Sequence, residues 1–467
     1  MTLHIPFDNS YATLPPRFFA RQVASSVPAP RMIAWNDALA AELGITGGPD
    51  ADVFAGNAVP DGAAPLAQVY AGHQFGGFSP QLGDGRALLL GEVVDRHGIH
   101  RDIQLKGSGP TPYSRRGDGK SWLGPVLREY ILSEFMYAAG VPTTRALAAV
   151  ATGETVYRDA PLPGGVLTRV AASHIRVGTF QYFAARQDVD ALRALYDYTR
   201  ARHFPDAETP LDLLEQVIAA QARLVAAWMA TGFIHGVMNT DNTSLSGETI
   251  DYGPAAFIDV YHPQTVYSSI DRQGRYAYDN QANIIVWNMA QLASCLVPLA
   301  EDTQAPIEPF TAAVHAMPDL IRTEWRRAFG RKIGLRDAGP QDEAMISDLL
   351  DRMTAARADF TNTFAAMADG KPRDWFNDPA LFDTWEAGWR KRLEAEENPA
   401  AVMRAVNPLM IPRNHLVEQV IAAAVDGDEA PFHALLVAGS HPFDTPPERF
   451  TRPPEPHEVV AATFCGT

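Results

Sequence analysis

Between residues 68 and 140 the chain alternates glycine-dense loops with short apolar runs, and this alternation restricts the fold more than any other feature of the sequence. Residues 68–91 are rich in glycine and end in the apolar run Ala87-Leu88-Leu89-Leu90. The turn-forming segment around Asp95-Arg96-His97-Gly98 separates it from a second strand-like run, Ile103-Gln104-Leu105-Lys106. Two such runs around a glycine-containing turn predict an antiparallel hairpin. A Gly/Ser/Pro/Arg-rich loop over residues 107–119 leads into a predicted helix over 125–139, stopped by Gly140 and Pro142. Two more strands are predicted at 154–157 and 166–170.

Glycine-rich loop, strand, lysine-bearing strand, helix and further strands follow one another as they do in the small lobe of a protein kinase. The remainder reads as mostly helical. Residues 211–231 place Leu213, Val217, Ala220, Leu224 and Trp228 at helical spacing and stop at Gly232. Helices are also predicted over 32–43, over 283–299, and from Pro306 to about residue 425. Residues 244–246 and 249–251 read as a short hairpin around Gly247, and 442–456 as a proline-rich extended tail. The predicted class is α+β: a kinase-like bilobal fold with an N-terminal extension (1–65), a small lobe (66–180), a large lobe (181–330) and a helical C-terminal extension (331–467).

A 46% hydrophobic content supplies a sizeable core, and a formal net charge of −16 argues against nucleic acid as a partner. Two cysteines, Cys295 and Cys465, are too few for a disulfide scaffold and fit a reducing compartment. With no signal-like N-terminus and no uninterrupted apolar span, the expectation is a cytoplasmic protein without a membrane partner. Cys295 is expected in the core, and a Cys295–Cys465 disulfide is the sharper alternative.

Three clusters carry chemistry. Lys106 ends a strand and Glu129 follows on the next helix, the arrangement that fixes an ammonium against nucleotide phosphates. Glu134 competes for the partner role but lies on another helical face. The second cluster is Gly236-Val237-Met238-Asn239-Thr240-Asp241-Asn242 followed by Asp251-Tyr252-Gly253. Asn242 offers an amide oxygen and Asp251 a carboxylate, the oxygen donors that magnesium takes. Asp-Tyr-Gly resembles the kinase Asp-Phe-Gly, but Val237 stands where the kinase His-Arg-Asp aspartate would be. Arg169 and Arg176 form the third cluster, whose forked guanidinium groups suit phosphate oxygens. Glycine-rich strings from Gln81 and from Arg116 permit close backbone approach to a ligand.

Taken together, these strings resemble the selenoprotein O family. The matching segments are Tyr-Ala-Gly-His-Gln-Phe-Gly from Tyr70, Gln-Leu-Gly-Asp-Gly-Arg from Gln81 and Leu-Lys-Gly-Ser-Gly-Pro-Thr-Pro-Tyr-Ser-Arg from Leu105. His-Gly-Val-Met-Asn-Thr-Asp-Asn from His235, Asp-Tyr-Gly-Pro from Asp251, Asn-Pro-Leu-Met-Ile-Pro-Arg-Asn-His-Leu from Asn407 and the Cys-Gly-Thr end belong with them. The resemblance implies a kinase-like fold that transfers AMP from ATP to Ser, Thr or Tyr hydroxyls of proteins, with the nucleotide reversed and pyrophosphate released. It implies ATP contacts at Gly83, Gly85, Arg86, Lys106, Asp118, Gly119, Arg169, Arg176 and Asp251. It further implies Mg²⁺ or Mn²⁺ on Asn242 and Asp251, Glu129 paired with Lys106, and Asp241 as proton acceptor. A terminal Cys465 is then a plausible redox handle. A conventional hydroxyl kinase and a non-catalytic nucleotide-binding scaffold are the alternatives.

Overall fold

The computed structural model describes residues 2–300 and 307–464. Twelve strands lie among them. They are β1 (Phe19–Arg21), β2 (Arg31–Trp35), β3 (Leu66–Gln68), β4 (Gly72–Gln74), β5 (Gly77–Ser79), β6 (Ala87–Val94), β7 (His100–Lys106), β8 (Ser121–Trp122), β9 (Arg145–Tyr157), β10 (Pro161–Ala171), β11 (Phe233–Ile234) and β12 (Ala256–Phe257). Eight of them form one antiparallel sheet in the order β1-β3-β6-β7-β10-β9-β2, with β8 added on β10. The predicted β6–β7 hairpin is present. Asp95 closes its turn by accepting from the amides of His97 and Ile99, and Gly98 takes the left-handed φ of +80°.

Register decides which side chains share a face. Arg169 pairs with Gln104, and Leu167 and Ala87 both pair with Lys106. Side chains alternate along a strand, so Gln104, Lys106 and Arg169 point to one side of the sheet. The helix α3 (Leu123–Ala138), which follows α1 (Asp37–Glu42) and α2 (Ala51–Ala55), packs against β9 and β10. Its buried Leu127, Ile131, Leu132 and Phe135 each contribute about 1.5–3 kcal/mol by leaving water.

The helical part comprises α4 (Val177–Ala184), α5 (Val189–His203), α6 (Pro210–Thr231), α7 (Gln281–Leu296), α8 (Ile307–Lys332), α9 (Glu343–Ala355), α10 (Phe360–Met367), α11 (Pro379–Leu393), α12 (Pro399–Arg404), α13 (Asn414–Val425) and α14 (Ala430–Gly439). The long α6 opens with Thr209 bonded to the amide of Asp212 and closes on Gly232 in the left-handed region. The 19 residues of α7 and its trailing turn are long and apolar enough by composition to cross a membrane, yet they pack against α4, α6 and α8. One apolar core joins the sheet, α3 to α8, α13 and α14; a second, built on Phe329, Phe360, Trp385 and Trp389, gathers α8 to α11. The C-terminal helices therefore divide, and α13 and α14 return to cover α3, where buried Arg128 pairs with Glu418.

Two predicted elements differ. Residues 32–43 are not one helix: β2 pairs with β9, Asn36 caps the amide of Leu39, and only then does α1 begin. An open sheet edge beside Ile33 and Trp35 outweighs the helical spacing. Residues 244–251 do not pair with each other either. Ser244 bridges Arg176 and Thr249 bridges Thr143, so their backbone groups are satisfied by the segments that precede α4 and β9. Cys295 is buried, as expected, its thiol pushed up to about 12 by burial. Cys465 lies outside the described residues. The tail preceding it carries a short turn at Glu448–Phe450 and then returns, Thr463 bonding Tyr267 and Pro254.

Candidate active site

The face shared by Gln104, Lys106 and Arg169 is closed by Glu129 from α3 and by Asp251 from the loop before β12. Lys106 Nζ donates to Glu129 Oε2 at 2.6 Å and to Asp251 Oδ1 at 2.7 Å. Arg169 donates to the same Asp251 oxygen at 2.7 Å, to Glu129 at 3.2 Å and to Gln104 Oε1 at 2.6 Å. Burial pushes the Asp251 carboxyl up, but Arg169, Lys106 and Arg176 outweigh it and hold the group well below the carboxylate range. Its backbone is strained, with φ +65° on a non-glycine residue. Glu134 takes no part: it accepts from Arg145, Asn36 and the amide of Ala146.

Asp251 and Lys106 open onto a cavity of about 450 Å³. Gly83, Gly85, Arg86, Asp118, Gly119, Arg169, Arg176, Asp241 and Asn242 line it too, so that among the residues singled out in the sequence only Glu129 stands behind its wall. Gly83 and Gly119 sit where a side chain has no room. Their φ values are +110° and +65°, and a Cβ would meet the Tyr113 ring at 2.6 Å or the Gly109 carbonyl at 2.1 Å. Asp118 is at the rim, bonded to Arg158 at 2.8 Å and to the amide of Lys120 at 3.0 Å.

Arg176 is buried deep in the cavity with its guanidinium 4.2 Å from the Tyr70 ring centroid. Asp84 lies 3.5 Å from it and Asp251 3.9 Å, while its Nε and Nη1 have no hydrogen-bond partner among the described residues. Buried donors left unmatched are costly, and anionic oxygens would match them.

On the opposite wall a single 3-10 turn, Thr240–Asn242, presents Asp241 and Asn242. Asp241 is buried, its Oδ1 has no hydrogen-bond partner among the described residues, and its Oδ2 accepts from Gln74 Nε2 at 3.4 Å. Burial raises this carboxyl to about 6. The Asn242 amide donates to the Val237 carbonyl at 3.0 Å, which turns its NH₂ to the protein and leaves its oxygen for the cavity. Val237 itself lines the cavity and brings no carboxylate. His235 ties this loop to the Asp251 segment through a 2.8 Å contact of Nε2 with the Ile250 carbonyl.

A family model described as protein adenylyltransferase SelO matches residues 1–439. The chain belongs to the SelO family. It is 61% identical to the protein nucleotidyltransferase YdiU of Ruegeria sp. (strain TM1040), 60% to that of Ruegeria pomeroyi and 55% to that of Bradyrhizobium diazoefficiens, with all of each chain covered. As a SelO-family member the chain is an enzyme of the nucleotidyltransferase class.

Sequence reasoning missed several groups in this SelO-family site. Asp84 sits inside the quoted Gln-Leu-Gly-Asp-Gly-Arg string, yet only the fold shows its buried carboxylate, which accepts from the Gln68 amide at 3.0 Å. Tyr70 and Gln74 lie in another quoted string without an assigned role. Gln104 is a neutral side chain in a strand and carries no local signal; only the register with Arg169 reveals it.

Proposed function

We propose that this chain transfers AMP from ATP to Ser, Thr or Tyr hydroxyls of proteins and releases pyrophosphate. The observation that carries this reading is the contrast between two carboxylates of one cavity. Asp251 is tied to two cations, whereas Asp241 is the cavity-lining carboxylate in no ion pair among the described residues. Carboxyl groups pushed apart in this way divide the work between a charge-holding group and a base. Asp241, raised to about 6, suits acceptance of a proton near neutral pH.

In this reading the acceptor oxygen attacks the α-phosphorus, the bond from that phosphorus to the α–β bridging oxygen breaks, and the hydroxyl proton passes to the Asp241 carboxylate. Arg176 and Arg169, with Lys106 held by Glu129, face the departing pyrophosphate and stabilise its growing charge. Gly83, Gly85, Arg86, Asp118 and Gly119 shape the cavity around the rest of the nucleotide. The donor set fits a hard cation: among the described residues neither the Asn242 amide oxygen nor Asp251 Oδ2 accepts a hydrogen bond. A Mg²⁺ or Mn²⁺ ion there would neutralise polyphosphate charge. We read residues 66–180 and 181–330 as the small and large lobes of a kinase-like fold, with 1–65 and 331–467 as extensions. The sheet with α3, the long α6 and the cavity between them support the two lobes, while β1 and β2 join the 1–65 segment to the small-lobe sheet. A conventional kinase lacks support because Val237 leaves no His-Arg-Asp aspartate.

Incubation of the purified chain with Mg²⁺ or Mn²⁺ and ATP labelled at either phosphate tests the proposal. Label from the α-phosphate is expected on protein hydroxyls, with γ-label leaving as pyrophosphate. Retention of γ-label alone would overturn it.

A further inference from the structure

The β4–β5 hairpin stands apart from the main sheet. Its turn, Phe75-Gly76, has φ values of +51° and +86°. Turns with two left-handed residues favour Asn-Gly, and an aromatic residue at the first position is strained. The strain holds Phe75 outward at the tip, 36% exposed, while the ring still lines the cavity.

The hairpin is bolted to the loop that carries Asp241. The His73 amide donates to Thr240 Oγ1 at 2.7 Å, and the Phe75 amide donates to Asn239 Oδ1 at 3.1 Å. Tyr276 braces the same asparagine oxygen at 2.6 Å. Gly72 packs so closely that a Cβ there would lie 2.3 Å from Asp241 Oδ1. Hairpin and Asp241 are therefore fixed in one frame.

The hairpin and the segment that carries Ile270 expose apolar surface around the cavity mouth. Phe78 is 43% exposed beside His73, and Ile270, which also lines the cavity, is 57% exposed. Arg275 flanks the tip, its guanidinium 3.8 Å from where a Gly76 side chain would begin and 5.1 Å from the Trp287 ring centroid. It forms no ion pair among the described residues, and its buried Nε is unpartnered. Exposed single apolar residues are ordinary on protein surfaces. Phe75 and Phe78 differ in sitting on a hairpin bonded to the loop of Asp241, the cavity carboxylate in no ion pair among the described residues.

We propose that the β4–β5 hairpin is the docking platform for the acceptor protein: an extended segment crosses Phe75, Phe78 and Ile270, and its hydroxyl side chain enters beside Gln74 to reach Asp241. The proposal rests on the transfer reading above. The nucleotide fills the interior, so a macromolecular acceptor arrives from the mouth, where the hairpin stands. The surface suits a hydroxyl flanked by apolar residues, with a carboxylate or carbonyl oxygen for Arg275.

The test uses the full chain, labelled ATP and a degenerate peptide set in which each member carries one Ser, Thr or Tyr. The variant Phe78→Ser, whose ring lies outside the cavity lining, is expected to raise the peptide KM about tenfold, as losing one ring covered by the bound peptide would. ATP affinity by calorimetry should stay at the wild-type value. Phe78→Leu, which restores apolar surface, should return KM most of the way. An unchanged peptide KM, or a loss of ATP affinity in place of the KM effect, would overturn the platform. The KM is read with whichever phosphate label the wild type retains, so a γ-transfer result refutes the adenylylation reading while the platform is judged on its own KM shift. A wild-type chain that labels no peptide with either phosphate overturns both.

Discussion

Glu129 touches the cavity only through Lys106 and Arg169, which makes it a clean place to perturb. Its carboxylate accepts two charge-assisted hydrogen bonds, at 2.6 Å from Lys106 and 3.2 Å from Arg169, in a site where it is 3% exposed. Removing one member of a buried ion pair typically costs about 3–5 kcal/mol, because the partner's charge is stranded. Here both cations keep Asp251 at 2.7 Å, and Arg169 keeps Gln104, so the low end applies and Glu129→Ala should cost about 3 kcal/mol. At roughly 2–4 °C per kcal/mol for a unit of 150–250 residues, and less for the larger unit that shares this core, the unfolding midpoint should drop by at most about 6–12 °C. ATP binding should weaken as well. Without Glu129, Lys106 is drawn to Asp251, and losing one charge-assisted hydrogen bond to phosphate corresponds to about 10–100-fold in Kd. Glu129→Gln keeps one acceptor oxygen and should fall between. Differential scanning calorimetry and titration calorimetry read the two effects. A Glu129→Ala protein with wild-type midpoint and wild-type ATP affinity would refute the claim that this carboxylate balances the cavity's cations.

Asp241→Asn removes the proton acceptor but little volume, so transfer should fall roughly 10²–10⁴-fold while ATP affinity by calorimetry is retained. Loss of ATP binding in that variant would reassign Asp241 to nucleotide or metal binding. Away from the cavity, His174 is buried against Asp102 and held neutral; burial lowers it to about 4, with Arg169 and Arg176 adding to the effect against Asp102. The unfolded chain takes up that proton near pH 6.5, so stability should fall on acidification between about pH 6.5 and 4, by about 1.4 kcal/mol per pH unit from this residue. Burial also raises Asp102, but Arg202 and His174 outweigh it and leave it at about 2, so its contribution is lost only below about pH 4. Unfolding free energies of wild type and His174→Asn, measured from pH 7 to 4, should differ in slope by that one proton. Equal slopes would show that His174 is already charged in the fold.

The strings that carry chemistry were legible because each places its groups through local structure. A strand lysine, a helix glutamate two elements later and an Asp-Asn turn after a long helix are all set by spacing, and helical geometry puts Glu129 and Glu134 on different faces, so that only one of them can reach Lys106. What stayed hidden depends on contacts between distant segments. Asp84 and Arg176 come together across 92 residues of sequence, and nothing local marks either as the other's neighbour. Residues 32–43 have acceptable helical spacing, yet the free edge of β9 takes Arg31–Trp35 as a strand. Residues 244–251 carry hairpin chemistry, and their backbone groups find partners at Arg176 and Thr143 instead.

The same nonlocal logic changes how the C-terminal helices relate to the site. Their periodicity predicts only an extension following the large lobe. In the fold α13 and α14 lie against α3, and Glu418 meets Arg128, the residue adjacent to Glu129. The helix that holds Lys106 in place is thus buried between the sheet on one side and chain nearly 300 residues downstream on the other. A helix covered on one side only can swing and carry its glutamate away from the lysine. Here such a swing would expose Tyr130, Leu127 and Phe135 and break their packing with Phe432 and Phe257. Burial of that size favours a Lys106–Glu129 pair that is formed whether or not nucleotide is present.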